Sequence, residues 1–280
     1  ASQVKVYTHI DSTLLAAVME QAKTIDMPVA AHLGLVDALT AARLGVQSLE
    51  HMSGVVEATV PDRAAYFRAH QSFFAGWNMF ERGWASLDSA ALERTAVALA
   101  ATGVAIVPTL TIHDAFVHLA DSAYIASLDL SGVPATQRTA WNVPDLIRRA
   151  GLTAADFQAF AASRPHENLF VRLFHRAGGK VVAGTDSPNQ LLAPGASLHH
   201  ELQLLVAAGL SPKDALLAAT REAAKLIRAD SLGVLRAGAL ADFVVLGGDP
   251  LRDIANTQKV TLVVQQGAAY RPETLRAGWH

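Results

Sequence analysis

MPVAAHLGLVDALTAARLGVQSLEH, residues Met27–His51, reads as a strand, a helix and a strand in direct succession. The first run is apolar throughout and closes on His32. "LVDALTAARLG" places apolar residues at helical spacing and stops at Gly45, a residue free to take the left-handed conformation that ends helices. "VQSLEH" then runs from Val46 to His51. Strands without in-out alternation belong to a parallel sheet covered on both faces.

The same unit repeats outward. "VKVY" (Val4–Tyr7) is a strand, and Ser12–Asp26 follows as a helix with Ser12 as its expected N-cap. Asp88–Thr102 reads as a helix and "VAIVPTL" (Val104–Leu110) as a strand. An irregular, mostly helical stretch rich in Trp, His and Ala occupies about 111–164. "HENLFVRLFHRAGG" is a helix closed by two glycines, and "KVVAGTD" (Lys180–Asp186) is the next strand. "SLHHELQLLVAAG" and "SPKDALLAAT" are amphipathic helices, the second with Pro212 near its start. "ALADFVVLGGDP" and "VTLVVQQGAAY" are β runs with Gly turns between them. Successive βα units of this kind imply an α/β barrel or a doubly wound sheet with right-handed crossovers. Five such strands are present, where a closed barrel has eight. A boundary near Asp230 divides the chain into residues 1–230 and 231–280.

Bulk composition bounds the rest. Of 280 residues 51% are hydrophobic and 17% charged, enough for a substantial core. The net charge of −2, from 23 basic and 25 acidic residues, carries no basic surplus for nucleic acid or an anionic membrane. The chain has no Cys, which removes disulfides, thiolate metal sites and Cys nucleophiles. No run has the length of a membrane span, so a soluble protein is expected, cytoplasmic or exported. No Gly-x-Gly-x-x-Gly or phosphate loop supports a nucleotide binder.

The chemistry sits at the strand ends. Lys5 lies in the first strand, and His32, His51 and Asp186 close later ones. In a parallel barrel all these ends meet at one face, where active sites of that architecture are built. Two neutral imidazoles and a carboxylate suit Zn²⁺ or a similar divalent ion. A lysine joins such a set only once its charge is removed, for instance by carbamylation with CO₂. Each residue alone has an ordinary reading. A strand-end His is commonly just hydrogen-bonded, Lys5 can snorkel, and Asp186 can cap a helix after Ser187-Pro188. Their shared end of successive parallel strands carries the functional reading. Tyr7, two residues past Lys5 and on its face of the strand, is a candidate substrate contact. His113 and His199 are candidates for substrate or supporting contacts, against the plainer readings of a loop and a surface-helix histidine. Thr185 and Ser187 are expected to shape the loop. Residues 111–164 could form a lid, with Phe116 and Trp141 either lining a pocket or packing between helices.

At these residues the chain resembles the amidohydrolase superfamily, metal-dependent hydrolases built on a TIM barrel. "VKVY" is similar to its strand 4 with the carboxylated lysine, "VAAHLGLVDALTAARLGVQSLEHMSG" to strands 5 and 6 with their metal-binding histidines, and "VVAGTDSP" to strand 8 with its catalytic aspartate. The segments from "SLHHEL" to "LLAATREAAKLI" and "GVLRAGALADFVVLGGDPLRDI" resemble the closing helices and β-segment. The resemblance implies an incomplete TIM (β/α)8 barrel from about strand 4 onward, with C-terminal strands of a small β-sandwich. It implies hydrolysis of amide, imide, lactam or dipeptide C–N bonds, with esters also open, by a metal-activated hydroxide. Lys5, His32, His51 and Asp186 would serve as metal ligands, with two divalent ions, zinc by expectation, in an intact enzyme and Asp186 as general base. One departure stands out: the family's strand-1 His-x-His pair is absent. By this correspondence the chain is the C-terminal portion of a longer enzyme. The alternative is a catalytically incomplete fragment that serves as a binding or assembly module, or that needs a second chain for strands 1–3. The partners expected are a small-molecule amide-like substrate, no nucleic acid and no membrane, with a homo-oligomer left open.

Overall fold

The computed structural model describes residues 2–277 of the chain. β1 (Val4–Val6), β2 (Val29–Ala31), β3 (Ser48–Glu50), β4 (Ala105–Val107) and β5 (Lys180–Val181) form one sheet in chain order, each neighbouring pair parallel. All five C-terminal ends therefore point the same way, as βα repeats require.

The register sorts residues onto two unlike faces. Val6, Ala31, Leu49, Ile106 and Val181 lie side by side across the sheet. All five are buried in the main core under the helices. Lys5, Ala30, Ser48 and Ala105 form the neighbouring row on the opposite face. There Ala223 and Leu226 pack against the small cluster of Ala105, Val107 and Val182. The rest of that face opens as a cavity of about 380 Å³, lined among others by Lys5, Ala30, Glu50 and Ile227.

Helices fill the connections. α1 (Ser12–Thr24) is capped by Asp11, not by Ser12: the Asp11 carboxylate accepts the Leu14 N–H at 2.8 Å, and Ser12 is already the first helical residue. α2 (Ala38–Leu44) is capped by Asp37 and ends at Gly45, whose φ of 100° only glycine takes without strain. The aromatic-rich stretch after β3 folds as α3 (Val55–Thr59), α4 (Ala64–Ala69) and α5 (Phe73–Gly83), followed by α6 (Ser89–Thr102). The strand read through Leu110 stops at Val107. Pro108 has no N–H for the ladder, Thr109 turns left-handed, and α7 (Leu110–Val117) begins at once.

Residues 111–164 contain most of α7, α8 (Ser122–Ser127), α9 (Ala135–Trp141), α10 (Val143–Ala150) and the first part of α11 (Ala154–Arg176). That last helix begins well before the His166 read from sequence and passes through Pro165. Its start is fixed by a reciprocal cap, in which Asp156 accepts both the N–H (2.7 Å) and the hydroxyl (2.7 Å) of Thr153. α11 packs against α5, α6 and α7, and Phe160, Phe170 and Phe174 join Phe80 and Trp84 among the fully buried side chains. Burying each of these aromatics stabilises by roughly 2–3 kcal/mol.

After β5 come α12 (Ala196–Ala207), α13 (Pro212–Ala219) and α14 (Arg221–Leu226). The C-terminal runs form a separate three-stranded antiparallel sheet of β6 (Phe243–Leu246), β7 (Val260–Gln265) and β8 (Ala268–Tyr270). "VTLVVQQGAAY", read as one β run, is a hairpin, because Gln266 and Gly267 both take positive φ between its two halves. α15 (Pro272–Arg276) follows. No helix of the described residues is long and apolar enough to cross a membrane.

Candidate functional site

His32 leaves β2 with its N–H on the Val6 carbonyl at 3.1 Å, and His51 leaves β3 with its N–H on the Val107 carbonyl at 2.9 Å. Sheet bonding thus holds both backbones at the strand ends. The rings meet edge to face with centroids 4.7 Å apart. Asp186, at φ 57°, turns its carboxylate toward His51: Oδ2 lies 3.8 Å from Nε2. Asn189 holds that same oxygen at 2.7 Å. Tyr7 packs its ring on His32, centroids 4.6 Å apart, and stays half exposed. Lys5 sits two residues before Tyr7 on β1, and its charge acts on His32, His51 and Asp186. The structure therefore brings Tyr7, His32, His51 and Asp186 together at one rim, while Lys5, paired with Ala30 two residues before His32, lies on the inner face of the sheet beside Glu50 and Val107.

The electrostatics suit ligation. His32 and His51 are 4% and 2% exposed. Burial, with the charge of Lys5 added, pushes His32 down to about 3. Burial, then the neighbouring His32 and Lys5, hold His51 well below its usual value. Both imidazoles are therefore neutral at pH 7 and keep a lone pair. Nδ1 of His32 is buried with no hydrogen-bond partner, an exception that a bound cation would explain. The 3.8 Å between His51 Nε2 and Asp186 Oδ2 exceeds a hydrogen bond. Two neutral imidazoles and a carboxylate are donors of the type a divalent ion takes, but among the described residues the group whose ligand atoms lie close enough together to hold one is Glu81, His113 and Glu167. Burial raises Asp186 above the ordinary carboxylate range, partly offset by Lys5 and the Asn189 bond; this moves it in the direction a general base needs.

Glu50 was not singled out by its sequence position. It lies on the open face beside Lys5, takes the Ser48 hydroxyl at 2.6 Å, and is raised by burial. The more extensive omission is a second group behind the rim. His113 is completely buried on α7 and binds Glu81 of α5 through Nδ1 at 2.6 Å, with Glu167 of α11 at 3.8 Å. Arg164 pairs with Glu167. Burial disfavours charge on His113, but Glu81 and Glu167 outweigh it and raise the imidazole. Glu81, His113 and Glu167 are close enough to hold a metal ion. Arg164 already neutralises one carboxylate and His113 is hydrogen-bonded to the other, so the group balances its own charge without a cation. Trp77 stands between the two clusters, its ring 5.7 Å from His113, 5.8 Å from His32 and 6.1 Å from His51. His113 thus lies behind Trp77 and not at the rim. The sequence signal for the hidden group was a carboxylate at a core-facing position of an amphipathic helix, Glu81 in "NMFERGW" and Glu167 in "HENLF".

Nδ1 of His199 lies 3.1 Å from the Thr257 hydroxyl, on the side of α12 facing the 254–258 turn. Phe116 packs with Trp77 and Phe160 in the main core. Trp141 is buried and donates its indole N–H to the Pro188 carbonyl at 2.7 Å, tying α9 to the loop after Asp186. That loop is braced by Ser187, whose N–H meets Thr185 Oγ1 at 3.2 Å and whose hydroxyl donates to Leu192 O at 2.9 Å.

The profile of the Amidohydrolase family matches residues 3–269. Among solved structures, a bottromycin amidohydrolase superposes with a TM-score of 0.66 at 22% identity, covering 98% of this chain and 58% of its own. A Xaa-Pro dipeptidase with methionine bound in its active site gives 0.61 at 21% identity, over 97% of this chain and 55% of its own. The ochratoxinase of A. niger gives 0.61 at 19%, over 97% and 51%. The chain thus spans a little over half the length of these structures, and at such identities the likeness is one of fold. A search of curated proteins returns no match.

Proposed function

The chain belongs to the amidohydrolase family, and from that premise we propose that it carries the catalytic rim of a metal-dependent hydrolase of C–N bonds. The observation that supports this reading is the meeting of His32 and His51, directly after β2 and β3, with Asp186 and Tyr7, while Lys5 lies on the same face of the sheet two residues before Tyr7. His32, through its unpartnered Nδ1, and His51, through Nε2, would hold a divalent ion, zinc by donor type. Lys5, carbamylated, and Asp186 would complete the set, with two ions in the assembled enzyme. When bound, the metal supplies Lewis-acid activation of a water and of the scissile carbonyl. Asp186 accepts the proton of the attacking water and passes it to the leaving nitrogen. Tyr7, half exposed above His32, orients the substrate by its hydroxyl.

The substrate class is an amide, imide, lactam or dipeptide; neighbours named for Xaa-Pro dipeptides and for bottromycin fit that class. Hydrolysis of a panel of Xaa-Pro dipeptides, N-acyl amino acids and lactams, by the zinc-loaded chain and by Asp186→Asn, tests the proposal. Loss of a general base costs about 10²–10⁴-fold in rate. A variant as active as the original would remove Asp186 from this role.

A second reading rests on the open inner face. Among the described residues β1 and β5 each pair on one side only, and Lys5, Glu50 and Val107 line an uncovered cavity. We propose that further strands, from whatever chain supplies them, close this sheet into a barrel, and that a second sheet covers the exposed Phe243 and Val245, which share one face of β6. Turnover by this chain would then require that complement.

A further inference from the structure

Thr109 stands immediately before α7, where a threonine ordinarily turns its hydroxyl onto the free N–H groups of the first turn. Its side chain makes no such bond. Instead Oγ1 lies 2.7 Å from the Pro108 carbonyl oxygen and 2.7 Å from His51 Nδ1. The helix end is served from elsewhere. The buried carboxylate of Glu201, on α12, accepts the Thr111 N–H at 2.9 Å and also bonds the Leu110 backbone. Thr109 is itself buried and takes a left-handed backbone, φ 47° and ψ 50°, a conformation that β-branched residues avoid. A cap borrowed from another helix and an unfavourable backbone both leave this one hydroxyl beside His51.

We propose that Thr109 is a positioning residue that fixes the tautomer of His51; the consequence for metal binding rests on the function proposed above. The hydroxyl has one proton and two close partners. The Pro108 carbonyl can only accept, so the proton goes there; otherwise two oxygens would face each other lone pair to lone pair at 2.7 Å. Oγ1 must then accept from His51, which places the imidazole proton on Nδ1. Nε2 is left with its lone pair on the side of Asp186 Oδ2. An outer hydrogen bond that sets the ring and the tautomer of a ligating histidine commonly governs metal affinity.

Long-range ¹⁵N–¹H spectra of the metal-free 280-residue chain read the tautomer directly, with His51 assigned by its loss in His51→Gln. Chelator competition with Zn²⁺ reads affinity separately. Thr109→Gly removes the hydroxyl at a position glycine tolerates, so the backbone is relieved and the fold is kept; Thr109→Ser restores the hydroxyl. The expected result is His51 protonated at Nδ1 in the parent and in Thr109→Ser, a loss of that preference in Thr109→Gly, and Zn²⁺ affinity about 10–100-fold weaker in the glycine variant. Protonation at Nε2 in the parent, or an unchanged tautomer in Thr109→Gly, overturns the role of Thr109. If the tautomer behaves as expected but the parent binds no divalent ion, the positioning role stands and the metal-dependent function fails.

Discussion

Removing His32 as a titrating group should change how the fold responds to acid. His32 is 4% exposed, and its imidazole is pushed down to about 3 by burial first and by Lys5, His70 and His113 after it. Unfolded, it titrates near 6.5. Between those values the unfolded chain binds a proton that the folded chain refuses, so stability falls as pH falls from about 6.5 toward 3. The slope is about 1.4 kcal/mol per pH unit, and from pH 7 to pH 5 this one group removes about 2 kcal/mol. His113 works in the opposite sense, because its raised imidazole favours the folded state at low pH. The comparison must therefore be differential. Urea unfolding of the parent and of His32→Gln at pH 7 and pH 5, with chelator present to exclude metal, isolates the group. The parent should lose about 2 kcal/mol more than the variant over that interval. Parallel losses in the two proteins would refute the picture of a neutral imidazole sealed in the rim.

Two further outcomes concern the support behind the rim. His113→Leu leaves Glu81 and Glu167 with only Arg164 among them, and denaturant unfolding should record a loss of about 3–5 kcal/mol. Gly76→Ala places a methyl group against the His70 ring, which is held by Glu57 at 3.1 Å; thermal unfolding should register a loss of about 1–3 kcal/mol from overpacking.

The parallel sheet was legible because its apolar runs and the glycine stop at Gly45 are local signals. His32 and His51 directly follow β2 and β3, as read, but the strand read as Lys180–Asp186 stops at Val181, so Asp186 lies on the loop beyond β5, and Lys5 lies inside β1. The Glu81–His113–Glu167 group was not legible. Its members come from α5, α7 and α11, and only the packing of those helices brings them together. Thr109 was hidden inside an apparent strand, because Pro108 ends the ladder without interrupting the apolar run. The helix read from His166 begins earlier, at the Thr153–Asp156 cap, and α11 carries Pro165 in its interior. The closing β run concealed a hairpin because Gln266 is no conventional turn residue, although its φ is positive.

Metal content per chain is the most direct measurement on the central claim. The purified 280-residue chain, loaded with Zn²⁺ and exhaustively dialysed, is analysed for bound metal beside His32→Gln and His51→Gln. Near-stoichiometric zinc in the parent, lost in both variants, is the expected result. A parent with no retained metal, or variants that retain as much as the parent, would contradict a metal centre at these strand ends.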